Sequence, residues 1–174
     1  MLKNHTKGVF LAAIGTLLTA TTVQAAPIAP AAIPAAAMAT IKWAAPSANW
    51  SSATMFTQFP GTAFQRTIYE AEGAYPNGTA VDVEVTDTGV MVEYEEGITM
   101  AKVPANVQAA LKANFPTLAK ISEIEWVMKP MVGNGGKVVN SIWYEFEGMM
   151  GKNSVAVYVS QDGSQALLDM TNTN

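Results

Sequence analysis

The sequence predicts an α+β fold made of duplicated helix-plus-antiparallel-strand units, with the helices packed on one face of an antiparallel sheet. The first observation is a repeated pattern, because residues 144–148 read YEFEG and residues 69–73 read YEAEG. A tight turn, a strand with valine at every second position and an Asp/Gly turn follow each copy. The two units are expected at about 47–98 and 99–174.

The second observation is the pattern upstream of each copy. Pro104 suits the first turn of a helix, and an apolar stripe at helical spacing runs from it to a Phe-Pro pair at 115–116. In the first unit the candidate helix is 47–58, which keeps this period only loosely. From the Phe-Pro pair to the repeated tyrosine there are 28 positions in the second unit and 9 in the first. This difference predicts an inserted strand, 121–129, and a glycine-rich turn, 133–136.

Residues 1–25 have the order of a secretory signal peptide. Lys3 and Lys7 precede a short apolar run, and small residues stand at 23 and 25, which predicts cleavage after Ala25. The run is shorter than the roughly 20 apolar residues that cross a bilayer, so no membrane span is expected after cleavage. The predicted location is the bacterial periplasm or the medium.

Residues 26–46 are dense in alanine and proline. Because repeated proline blocks helix and strand, this segment is expected to be a semi-extended linker ahead of a folded domain, 47–174. An alternative stays open, in which Ile41 and Trp43 pad the core or dock on a partner.

The composition excludes several classes of function. Without the leader, 8 of the 10 basic residues remain against 14 acidic ones, which argues against nucleic acid or an anionic membrane as partner. The single histidine, His5, lies in the leader and the chain has no cysteine. Catalytic sets built on His or Cys and the usual zinc sites are therefore excluded from the mature chain, and no cofactor is implied.

The acidic residues raise the question of catalysis. Ten of the 14 occupy strand positions opposite in parity to the apolar residues, and neighbours would stand about 6.5–7 Å apart. Paired-carboxylate hydrolases use such separations, so a small carboxylate-dependent periplasmic hydrolase is the alternative function. A catalytic pair needs one buried carboxyl, whereas an open sheet face keeps both solvated. We expect a solvated face and no enzyme; a carboxyl buried in a cleft would favour the hydrolase.

A second alternative is a weak copper site. Met128, Met131 and the pair Met149–Met150 could offer thioethers to copper(I) in an oxidising compartment. We expect these side chains instead to fill gaps in the core and turns.

Four stretches, PANVQAALKANFP, KISEIEWV, WYEFEG and VAVYVSQDG, resemble the PepSY-like family of exported bacterial proteins over about residues 60–170. Related domains occur in propeptides that inhibit thermolysin-type proteases, and the duplicated version resembles the fold of a β-lactamase inhibitory protein (BLIP). The resemblance implies a noncatalytic binding or inhibitory module, with an envelope or secreted protease as target. It supplies no catalytic residue.

The candidate partner-binding face is the polar side of the predicted sheet. Two large aromatic residues share the strand parity of the carboxylates, and exposed aromatics among charges are common at binding anchors. We expect a positively charged protein or peptide to bind the face formed by Trp143, Glu145, Glu147, Tyr158, Glu123 and Glu125.

Overall fold

A computed structural model describes residues 25–132 and 137–169, and in them the main feature is one nine-stranded antiparallel sheet. The strands lie side by side in chain order, each paired with the next. They are β1 Ala26–Ile28, β2 Asn49–Gln58, β3 Arg66–Ala74, β4 Ala80–Thr86, β5 Met91–Gly97, β6 Leu118–Val132, β7 Val138–Met150, β8 Asn153–Ser160 and β9 Ala166–Asp169.

Two helices of ten residues, α1 Ala35–Ala44 and α2 Ala105–Asn114, pack on this sheet. Each follows a short 3-10 turn and has proline at its N-cap position, where the missing N–H removes no helical hydrogen bond. α1 contacts β4 and β5, and α2 contacts β8 and β9. No helix in this described part has the length and apolarity needed to cross a bilayer.

The apolar core lies between the helices and one face of the sheet. α1 covers a cluster that includes Val83, and α2 covers a cluster that includes Phe146 and Val157. Both clusters lie on the same face of the sheet, because paired residues project to the same side. Val83 pairs with Tyr94, and the pairing continues in the same way from β5 through β6 to β7. The helix predicted from Pro104 and the valine-rich strands are confirmed.

The predicted fold class of duplicated helix-plus-strand units is wrong. The strands form one continuous sheet in which β5 pairs directly with β6, across the boundary expected between 47–98 and 99–174. The first predicted helix, 47–58, is strand β2, paired with β3 along almost its whole length. Its Ser, Thr and Ala residues alternate between the two faces, and this pairing outweighs the loose helical period.

The interpretation of 26–46 as a semi-extended spacer is also wrong, since the segment contains β1 and α1. Its prolines flank the ten residues of α1 rather than interrupt them, and alanine has the highest helix propensity. Ile41 is fully buried in the core, whereas Trp43 is 76% exposed on the outer side of α1. The predicted signal peptide up to residue 24 and the predicted glycine-rich turn at 133–136 lie outside the described residues.

Candidate functional site

The face of the sheet opposite the helices carries the ten carboxylates that were predicted to share a face, and strand pairing confirms this arrangement. We call it the carboxylate face. Pairing lines the side chains up in rows, one of which joins Glu70, Glu84 and Glu93 on three neighbouring strands. The full set is Glu70, Glu72, Asp82, Glu84, Glu93, Glu95, Glu123, Glu125, Glu145 and Glu147.

The expected solvation of this face is wrong for half of these carboxylates. Five are between 2% and 7% exposed: Glu70, Glu84, Glu95, Glu125 and Glu145. Both helices pack on the other face, yet Val127 on the carboxylate face is also fully buried. The side chains of neighbouring strands therefore bury one another. Hydroxyl groups on β2 help to satisfy the outermost ones, since Thr54 Oγ1 donates to Glu70 Oε2 at 2.7 Å.

Lys129, which lies on the carboxylate face beside Glu93, was absent from the predicted site. Its Nζ lies 2.6 Å from Glu93 Oε1 and 4.9 Å from the centroid of the Tyr158 ring. Burial alone would lower the pKa of Lys129, but the Glu93 carboxylate, with Glu95 and Glu84 nearby, raises it above its ordinary value. The ammonium group therefore stays charged and offsets part of the surrounding negative charge. Its parity with Glu125 was the sequence signal that could have placed it here.

The two aromatic residues of the predicted site have different environments. Tyr158 is buried, so its predicted role as an exposed anchor is wrong. Burial, and next the charge of Glu145, raise the pKa of Tyr158 well above its usual value, and its hydroxyl is hydrogen-bonded to that carboxylate. Trp143 is half-buried, and its Nε1 donates to Ser141 Oγ at 2.8 Å.

The structure brings all six predicted site residues into one patch on β6, β7 and β8. Strand pairing joins Glu125 to Glu145 and then to Tyr158, and it joins Glu123 to Glu147. Trp143 lies beside them, two positions before Glu145 on β7. Three of the six are buried, and three are partly exposed, namely Trp143, Glu123 and Glu147. A partner would therefore contact the partly exposed three, and the buried pair Glu125 and Glu145 lies in the row between them.

Asp82, Glu95 and Glu125 bring three carboxylate groups close together on the carboxylate face. One carboxylate oxygen of each lies within 4.8 Å of the others. Hard oxygen donors of this kind are the ligand type that calcium and magnesium ions use. Of the four methionines of the copper alternative, Met128 and Met131 lie three positions apart on β6 and Met149 and Met150 are adjacent on β7, so each pair projects to opposite faces of the sheet.

Two shallow cavities adjoin the patch. One, of about 380 Å³, is lined by Glu123 together with Gly97 and Met100, and the other, of about 420 Å³, by Trp143 and Asp162 among others. Neither is lined by Glu145 or Glu147. Glu145 is a buried carboxyl, as a hydrolase would need, but it lines neither of these two cavities.

The sequence matches no family model and no curated protein. Its fold, however, matches solved structures. A BLIP-like protein from Bacteroides fragilis superposes with a TM-score of 0.53 and 14% identity, over 81% of this chain and 89% of that one. A DUF2874 family protein from Bacteroides ovatus gives 0.53 and 17%, over 80% and 91%. A Bacteroides eggerthii protein, provisionally assigned to the periplasm, gives 0.51 and 18%, over 78% and 88%.

The fold is BLIP-like. At these identities the likeness extends to the fold and no further, and it does not single out the PepSY-like family. It agrees with the BLIP part of the resemblance seen in the sequence.

Proposed function

We propose that this protein is a noncatalytic periplasmic binding module whose carboxylate face receives a positively charged segment of a partner protein. The observation that carries the proposal is the patch on β6 and β7 in which partly exposed Glu123 and Glu147 pair with each other, and partly exposed Trp143 lies four positions from Glu147 on the same face of β7. An indole on the same face as a group of carboxylates provides an apolar anchor beside a charged surface.

The buried carboxylates strengthen the field of this patch. Glu125 and Glu145 form the row between the Glu123–Glu147 pair and Trp143, and because both are buried, water screens their charge less than it does at the surface. Lys129 bonds to Glu93 on the β5 side and offsets only part of the total charge. Such a one-sign surface attracts a cationic partner over distance and speeds its encounter.

The partner class that we propose is an envelope or secreted protease, inhibited when its cationic segment is held on this face. The sequence resemblance to domains of protease-inhibiting propeptides supports the protease as target, and the BLIP-like neighbour supports an inhibitory module. The periplasmic location predicted from the leader agrees with the neighbour provisionally assigned to that compartment.

The proposal is tested by titrating a lysine-rich peptide into the protein at low and physiological salt. We expect binding that weakens as salt rises, and Glu147→Lys should lower the affinity on the order of tenfold. Asp87→Lys makes the same charge change on the exposed β4–β5 turn and is the matched control. Equal losses in the two variants would show that net charge alone attracts the peptide and would overturn the assignment of this face.

Inhibition is tested with the same pair of variants. We expect the wild type to slow a thermolysin-type protease, and Glu147→Lys to weaken the inhibition more than Asp87→Lys does. Peptide binding on the carboxylate face without inhibition of such a protease would retain the binding module and reject the protease as its target.

A further inference from the structure

A gap opens in the sheet where the chain leaves β5 on its way to α2. The last strand pairing of β5 with β6 joins Gly97 to Glu125, and one further backbone hydrogen bond joins Ile98 N to Ile124 O at 2.8 Å. β6 begins earlier, at Leu118, and β7 is its pairing partner there. The shallow cavity of about 380 Å³ lies in this gap, and we call it the notch.

The walls of the notch are mainly apolar. Met100 and three isoleucines line it, and each of these four side chains keeps part of its surface exposed to solvent. The isoleucines are Ile98, Ile121 and Ile124. Gly97 also lines the notch and leaves room beside them, because a Cβ added at that position would first meet Ala80, at an ordinary contact distance of 3.5 Å. The notch can therefore receive an apolar chain.

The edge of the notch is acidic. Of the described residues that line it, Glu123 alone is charged, and Glu147 lies directly opposite Glu123 on β7. Opposed residues on antiparallel strands have Cβ atoms about 4.5–5.5 Å apart, so one cation can contact both carboxylates. Lys102 and Lys120, the basic residues nearest to the notch in sequence, are exposed and do not line it. The notch thus suits a group that is apolar along its length and positively charged at its end.

We propose that the notch holds a lysine side chain of the cationic partner segment, with its methylene stem against the isoleucines and its ammonium group between Glu123 and Glu147. The inference rests on the proposed function and names the side chain that the carboxylate face selects. Lysine fits because its four-carbon stem can lie along apolar walls, while its ammonium group has three donors that two carboxylates can share. Arginine has a shorter apolar stem and a planar guanidinium, whose parallel donors suit a single carboxylate.

The test compares two peptides that have the same charge and differ only in the length of the stem. One has lysine at every basic position, and the other has α,γ-diaminobutyrate, whose stem is two methylenes shorter. At about pH 6 the amines of both peptides are protonated, so the charge of the carboxylate face alone attracts them equally. We expect the lysine peptide to bind about tenfold more tightly, because two more methylenes are buried in the notch.

A substitution that fills the notch without changing the charge of the protein gives the second measurement. Gly97→Leu places an apolar side chain there and should abolish the preference for lysine over diaminobutyrate. Ala113→Leu makes a similar addition at an exposed position of α2 and is the matched control, in which the preference should remain. Because the comparison of the two peptides on the wild type needs no substitution, the inference stays testable even where Gly97→Leu lowers the stability.

The outcomes separate this inference from the proposed function. Equal affinity of the wild type for the two peptides, together with weaker binding to Glu147→Lys, would overturn the lysine site and leave the proposed function in place. A preference for lysine that is as strong in Gly97→Leu as in the wild type would place the stem elsewhere and would also overturn the site. Binding of neither peptide would reject the proposed function, and the lysine site with it.

Discussion

At the scale of single residues, Lys129 has the largest electrostatic role on the carboxylate face. Its ammonium group contacts Glu93 directly and lies over the ring of Tyr158. Removing it would leave crowded carboxylates without this counter-charge. When one member of a buried ion pair is removed, the uncompensated charge of the other member is the main cause of the large loss of stability.

We therefore expect Lys129→Met to lower the free energy of unfolding by about 2–3 kcal/mol at pH 7, less than for a fully buried pair because both side chains keep some exposure. Urea unfolding measures it. Lys112→Met on the solvent side of α2 is the matched control and should change stability by less than about 0.5 kcal/mol. Similar losses in both variants would mean that Lys129 does not stabilise the face.

At the scale of elements, α1 shows that the Ala/Pro-rich segment belongs to the fold. Its Ile41 side chain is fully buried against the sheet, and Thr40 Oγ1 donates to the carbonyl of Gly89 at 2.7 Å. Gly89 has φ +84°, and a Cβ at that position would meet the Ala36 carbonyl oxygen at 2.7 Å. The β4–β5 turn and α1 are thus fitted closely to each other.

Truncating Ile41 to alanine should lower the free energy of unfolding by about 2–4 kcal/mol, through lost burial and the cavity left behind. Trp43→Ala, two positions away but exposed, removes more atoms and should change stability much less. Thermal and urea unfolding measure the loss of stability in each of the two variants. If Ile41→Ala were the milder change, α1 would not be part of the core.

The sequence was sufficient to predict helix α2, whereas it was not sufficient to predict helix α1. In α2 the buried positions are Val107 and Leu111, whose size makes the helical stripe visible. In α1 they are Ala37 and Ile41, set among other alanines, so little contrast separates the two sides. The strand alternation of β2 was hidden in the same way, by small polar residues on both faces.

At the scale of the whole molecule, the charges are separated across the sheet. The carboxylate face holds ten acidic side chains, while α1 and α2 on the other side contain Lys42 and Lys112 and no acidic residue. Strand parity was enough to predict the shared face. The burial of its carboxylates was not predictable, because it depends on how the side chains of neighbouring strands pack once all the strands are paired in one sheet.

Three raised pKa values predict how the folded chain responds to alkaline pH. Burial first, and then Glu145, raise the pKa of Tyr158, and burial followed by the hydrogen bond with Tyr75 raises the pKa of Tyr94. The pKa of Lys129 is raised as well. The ordinary values are 10.0 for tyrosine and 10.5 for lysine, so near pH 10 the unfolded chain loses protons that the folded chain keeps.

The stability contributed by these three groups is therefore complete below about pH 10 and is lost as the pH rises toward the folded-state values. Each group should add a slope of at most about 1.4 kcal/mol per pH unit. Urea unfolding between about pH 8 and pH 11.5 should show this decline, and it should be shallower in Tyr158→Phe, which has no phenolic proton to lose. A stability that stays level to pH 11.5, or equal slopes in the variant and the wild type, would mean that the carboxylate face does not hold that proton.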